Sequence, residues 1–234
     1  NMSLEIIPNH FDSIFNKGII LSSFKKYRDA ISCFDYALKN NPDDVDTLYN
    51  KALSLVKINQ TNTALQVFQR ILRLNPGHLN SLLQVGKIYS KNQKYYDAIN
   101  YFDKALKINS NQSEVNYQKG LVLSKLGRHE EALSFYYNAI FNHATDSDVF
   151  FNKGNSELFL GHYLKALEYF DKALEINPKH FDALLNKGII LNNNDKYSEA
   201  LQTLVKAEEI SPDHTIHIET LGKCYSKLGN HKIA

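Results

Sequence analysis

Six side-chain amides in this chain stand at a constant interval of 34 residues: Asn16, Asn50, Gln84, Gln118, Asn152 and Asn186. A carboxamide carries a hydrogen-bond donor and an acceptor, the pair that an extended peptide backbone offers in return. Asparagine in a helix interior works against local propensity, so a run of them is not chosen for local stability. One residue earlier in each unit stand Phe15, Tyr49, Leu83, Tyr117, Phe151 and Leu185. Their rings are expected to supply apolar contact area beside the amides, and Asn155 adds a further amide. Two structural alternatives stay open: the amides cap or crosslink adjacent helices, and the rings pack against the neighbouring unit.

Charge flanks this row. Asp12, Asp46, Asn80, Glu114, Asp148 and Asp182 lie four residues before the amides. Acids in a first helical turn complement the helix dipole and leave one edge of the face negative. Lys17, Lys51, Lys119, Lys153 and Lys187 follow the amides directly; their stems are expected to cover apolar surface with the ammonium in water. Glu157, one turn after Lys153, is expected to pair with it. Catalytic signatures are missing: the sequence has no Gly-rich phosphate loop, no HExxH and no nucleophile elbow. Cys33 and Cys224 form no CxxC motif, and His214 with His217 reads as a surface turn rather than a metal pair. No enzyme activity, cofactor or metal is expected.

The elements that position these residues follow from the prolines. Pro8, Pro42, Pro76, Pro178 and Pro212 are separated by 34 residues or by three times that interval, which points to an internal repeat. With Phe11 as position 1, the units are 11–44, 45–78, 79–112, 113–146, 147–180 and 181–214, with a partial seventh over 215–234. Residues 1–10 read as the tail of a preceding unit, their first residues extraneous to it, because LEIIPNHFD at 4–12 parallels LEINPKHFD at 174–182. Position 8 is Gly18, Ala52, Gly86, Gly120, Gly154, Gly188 and Gly222. Position 20 is alanine throughout, from Ala30 to Ala234, and position 24 reads Phe34, Phe68, Phe102, Tyr136, Phe170 and Leu204. Apolar residues recur at positions 4, 8 and 11, and again at 20, 24, 27 and 28, a helical spacing. Lys25, Asn59, Gln93, Gly127, Gly161, Asp195 and Gly229 at position 15 mark the turn between two helices, and proline at position 32 stops the second. Ser110 and Ala144 replace that proline in units three and four, so longer second helices are expected there.

A 34-residue unit with this spacing of small, aromatic and proline residues resembles the tetratricopeptide repeat, over essentially the whole chain. The resemblance implies an all-α, right-handed α-solenoid of antiparallel helix pairs, stacked because one pair cannot bury its own apolar face. It also implies a concave groove lined by positions 2, 5, 6, 9, 12 and 13, and some members of the family hold peptides on an asparagine ladder of this kind. The family's carboxylate clamp for chaperone tails needs lysine at position 5 and basic residues at positions 2 and 6 of a later unit. This chain has aromatic or leucine residues, acids and amides there, so that ligand is not expected.

The expected function is a protein–protein interaction scaffold that binds an extended or helical peptide segment of a partner in the groove. The alternative is a substrate-recruiting repeat domain excised from a larger multidomain enzyme. A net charge of +2, from 27 basic and 25 acidic residues, argues against nucleic-acid and membrane partners. No apolar run approaches the ~20 residues of a bilayer span and no signal peptide opens the chain, so a cytoplasmic protein is expected. The uncapped ends offer surfaces for self-association.

Overall fold

The computed structural model describes residues 11–142 and 146–229; the expected tail over 1–10, Ala144 and Ala234 lie outside the described residues. Thirteen α-helices occupy them. The first helices of successive repeats are α1 (Phe11–Ser23), α3 (Val45–Lys57), α5 (Leu79–Lys91), α7 (Ser113–Lys125), α9 (Ser147–Phe159), α11 (Phe181–Asn193) and α13 (Thr215–Lys227). The second helices are α2 (Tyr27–Asn40), α4 (Thr61–Leu74), α6 (Tyr95–Ile108), α8 (His129–Phe141), α10 (Tyr163–Ile176) and α12 (Tyr197–Glu208). The chain divides into two compact units, Asn1–Ser110 and Asn111–Ala234. Each is an α-solenoid in which every helix packs on its neighbours in sequence.

The turn inside each pair has one geometry. Lys25, Asn59, Gln93 and Asp195 take φ of 59° to 61°, and Gly127, Gly161 and Gly229 take 75° to 80°. A left-handed residue after a helix lets the next N–H reach back to a carbonyl five residues earlier. That bond runs from Lys26 to Leu21, Gln60 to Leu55, Lys94 to Tyr89, Arg128 to Leu123, His162 to Glu157 and Lys196 to Leu191, each at 2.9 to 3.0 Å.

The second helices do not lengthen where proline is missing. α6 has 14 residues, as do α2 and α4, and α8 has 13. In α6 the stop is the asparagine at position 31. Asn109, before Ser110, adopts φ −145° and ψ 102°, close to the −136° and 90° of Asn75 before Pro76. Proline favours an extended predecessor, and Asn109 takes that conformation without one.

The core of each pair is the contact between positions 8 and 24. Phe34, Phe68, Phe102, Tyr136, Phe170 and Leu204 are fully buried. A Cβ built on Gly120 would lie 2.7 Å from the Tyr136 ring, and one on Gly188 would lie 2.5 Å from Leu204. At these two glycines the approach leaves no room for a Cβ, whereas the second repeat accommodates Ala52 beside Phe68. Burying each of these side chains contributes about 1.5–3 kcal/mol relative to exposure, and alanine at position 20, with alanine at position 27 in every repeat but the second, where it is Ile71, leaves room for it.

Candidate functional site

The amides sit in the second turn of the first helices, and three of them spend one N–H on their own helix. Asn50 Nδ2 donates to the Asp46 carbonyl at 2.8 Å, and Asn152 Nδ2 donates to the Asp148 carbonyl at 2.7 Å. Gln118 Nε2 donates to the Glu114 carboxylate at 3.0 Å. A main-chain carbonyl or carboxylate can only accept, so these partners fix which end of the amide points where. A carboxamide nitrogen carries two N–H groups, so Asn50 and Gln118 each keep a second donor beside the oxygen, whereas Asn152 spends both.

Several amides also join neighbouring repeats. Asn152 Nδ2 donates to the Tyr117 hydroxyl at 3.2 Å, the Gln84 side chain hydrogen-bonds the Tyr49 hydroxyl, and Asn186 Nδ2 donates to Asn155 Oδ1 at 2.8 Å. The crosslinking alternative therefore holds for Gln84, Asn152, Asn155 and Asn186. Asn16 is exposed.

The rings one residue earlier are half-buried; each meets the buried position-24 ring of its own repeat, and Tyr49 and Phe151 also join core clusters that include residues of the next repeat. Phe15 lies 6.0 Å from Phe34, Tyr49 5.9 Å from Phe68, Tyr117 6.2 Å from Tyr136 and Phe151 5.8 Å from Phe170, centroid to centroid. Burial pushes the Tyr117 hydroxyl well above its ordinary pKa, and the charges of Asp148, Tyr136, Asp146 and Glu114 push the same way.

Two histidines belong to this face and escaped the sequence reading. His180 Nδ1 accepts from the Ala183 N–H at 3.3 Å, which leaves Nε2–H to donate to Asp148 Oδ1 at 3.2 Å. Its ring lies 4.6 Å from Phe151. His78 repeats the arrangement: it accepts from the Ser81 N–H at 3.2 Å and lies 5.3 Å from Tyr49. Burial lowers its pKa, against the pull of Asp46. The signal was the common spacing of 32 residues in Asp46/His78 and Asp148/His180. The same spacing links Ser22 to Ser54 and Ser124 to Ser156, both at 3.0 Å, across consecutive repeats.

The lysines and the remaining candidates depart from expectation. Lys51 pairs with Asp35 and Lys187 with Asp171, both at 2.5 Å, so these ammonium groups are not simply in water. For Lys153 of the fifth repeat the corresponding position in the fourth is Tyr137 instead of aspartate, and Lys153 is buried with its ammonium 5.4 Å from that ring and 4.5 Å from Tyr169. Glu157 consequently pairs with His162 Nδ1 at 2.7 Å and not with Lys153. His217 is fully buried, its Nε2 against the Leu204 carbonyl at 2.9 Å, and is not a surface turn. Among the described residues no group of three or more metal-ligating side chains gathers, and no helix is long and apolar enough to cross a membrane.

Solved structures with this fold include YrrB, a TPR protein with an unusual peptide-binding site, at 28% identity and TM-score 0.67, covering 80% of this chain and 96% of that one. The PilF protein of Pseudomonas aeruginosa superposes with TM-score 0.79 at 15% identity, covering 89% and 95% of the two chains. MamA superposes with TM-score 0.63 at 22% identity, covering 72% and 92%. No curated protein matches the chain in sequence. The family described as tetratricopeptide repeat protein 21 N-terminal ARM repeat matches residues 15–223. With the 34-residue helix pairs, the glycine–aromatic core contact and that match, the chain belongs to this family of tetratricopeptide-repeat proteins.

Proposed function

We propose that the chain is a non-enzymatic scaffold whose first-helix faces, within each compact unit, form a concave groove for an extended or helical peptide segment of a partner protein. The observation that carries this reading is the row of amides at Asn50, Gln118 and Asn152, each anchored to its own helix by an N–H bond in which its acceptor oxygen takes no part. The amide oxygens suit main-chain N–H groups of a ligand, and Asp46, Glu114, Asp148 and Asp182 would draw lysine and arginine side chains. Phe15, Tyr49, Tyr117 and Phe151 supply the apolar shoulder, and Asn16, Gln84, Asn155 and Asn186 extend the polar row. The similarity to a TPR protein with a peptide-binding site supports the assignment. A reducing, cytoplasmic setting suits the two free cysteines, Cys33 and Cys224.

The test is a peptide-display selection against the whole chain and, in parallel, against an Asn152→Ala/Asn186→Ala variant whose helicity matches the parent by circular dichroism. Peptides carrying basic residues should be enriched on the parent and lost on the variant. Equal enrichment on both proteins would refute the amide row as the binding element.

A further inference from the structure

A cleft of about 740 Å³ lies between α4 and α6, the second helices of the second and third repeats. Its apolar lining includes Leu72, the buried Leu82 and the half-exposed Ile108, and its rim carries Arg73, Lys104 and Lys107. α4 contains no acidic residue at all. None of the three cations has a carboxylate partner among the described residues, and Lys104 lies 4.9 Å from the Tyr101 ring.

The second compact unit contains a register-equivalent cleft of about 980 Å³ between α10 and α12. Leu174, Leu184 and Ile210 occupy the places of Leu72, Leu82 and Ile108. The charges differ. Glu175 stands where the first cleft has Arg73, Glu209 where it has Lys107, and Lys206 where it has Lys104. Asp171 and Lys187 there neutralise each other at 2.5 Å. The repeat therefore packs as well with glutamate as with arginine or lysine at these positions, so packing does not demand the cations. Three like charges around an apolar floor also repel one another, a cost that an anionic partner would offset.

We propose that the α4–α6 cleft is a second protein-binding surface, and that its ligand is an acidic peptide segment with a large apolar side chain. The carboxylates meet Arg73, Lys104 and Lys107, and the apolar side chain enters between Leu72, Leu82 and Ile108. Arginine takes a carboxylate with two parallel N–H bonds, which gives the site directionality. A nucleic acid is the poorer fit, because it calls for a basic track along a whole face rather than three cations around an apolar pocket. This surface does not depend on the first-helix face, whose acids would repel the same peptide.

The test uses a fluorescein-labelled peptide of sequence Glu-Asp-Leu-Glu-Asp-Leu-Glu-Asp and a control in which every acid is replaced by its amide. Fluorescence anisotropy with the full chain should report binding of the acidic peptide only, weakening as salt rises. Arg73→Glu with Lys107→Glu, which copies the second cleft and is expected to fold, should weaken binding about tenfold or more. Glu175→Arg with Glu209→Lys should create a second site and double the stoichiometry. Unchanged binding by the Arg73/Lys107 variant, equal binding of the amide control, or no binding by the parent would each overturn the proposal. So would tighter binding of an oligothymidylate to the same cleft.

Discussion

Replacing Gly154 by alanine should destabilise the protein even though alanine is the better helix former. The new Cβ would sit 2.8 and 2.9 Å from two carbons of the Phe170 ring and 3.3 Å from the Ala166 carbonyl oxygen. Phe170 is fully buried and cannot swing away, and the carbonyl belongs to a helix backbone. Overpacking of this kind costs about 1–3 kcal/mol, against a gain of about 1 kcal/mol from helix propensity. The net loss should be roughly 1 kcal/mol. Phe170→Ala alone should cost about 3–5 kcal/mol. In that background the clash is gone, so Gly154→Ala should become stabilising by up to about 1 kcal/mol, a coupling of about 2 kcal/mol between the two sites. The measurement is a set of four urea titrations followed by far-UV circular dichroism. If Gly154→Ala raises the midpoint in the parent, or shifts it equally in both backgrounds, the close-approach argument is wrong. The second repeat supplies a comparison, since Ala52 already faces the buried Phe68; Ala52→Gly should lose about 1 kcal/mol.

Two other outcomes follow from the geometry. Gln93 holds a φ of 59°, and Gln93→Gly should stabilise by about 0.5–1 kcal/mol by removing the left-handed penalty, read as an upward shift in melting temperature. The pKa of His78 is lowered by burial, so the unfolded chain binds its proton more readily; its contribution is complete above the unfolded pKa and is lost as pH falls toward the folded one. Stability measured from neutral to mildly acidic pH should therefore fall less steeply in His78→Asn than in the parent.

The sequence made some of this structure readable and hid the rest for identifiable reasons. Position 15 announced its turn because only a left-handed residue ends such a helix compactly, whether it is Gly161 or Asn59. Position 8 opposite position 24 was readable because a 34-residue period fixes both the small residue and the ring. The stop of α6 was misplaced because the period drew attention to Pro76 and Pro178, while Asn75, Asn109 and Asn177, one residue earlier, adopt the extended conformation. The orientation of the amides could not be read at all. Whether Asn152 turns its N–H outward or back to the Asp148 carbonyl depends on a bond within one helix, which no spacing records. Glu157 was assigned to Lys153 on helical spacing alone. Replacing an aspartate by Tyr137 one repeat earlier changed where Lys153 goes, and His162 became the partner of Glu157.

Within each compact unit, every substantial contact between helices joins elements one or two steps apart in the chain. Folding therefore needs no long loop to close before its first rewarding contacts form, and low contact order of this kind favours rapid folding. The same locality makes the architecture modular through duplication: copying one 34-residue segment adds a helix pair without disturbing a distant core. It also sets the response to tension, since a chain pulled from one end should yield pair by pair, each pair released without unlocking the ones behind it.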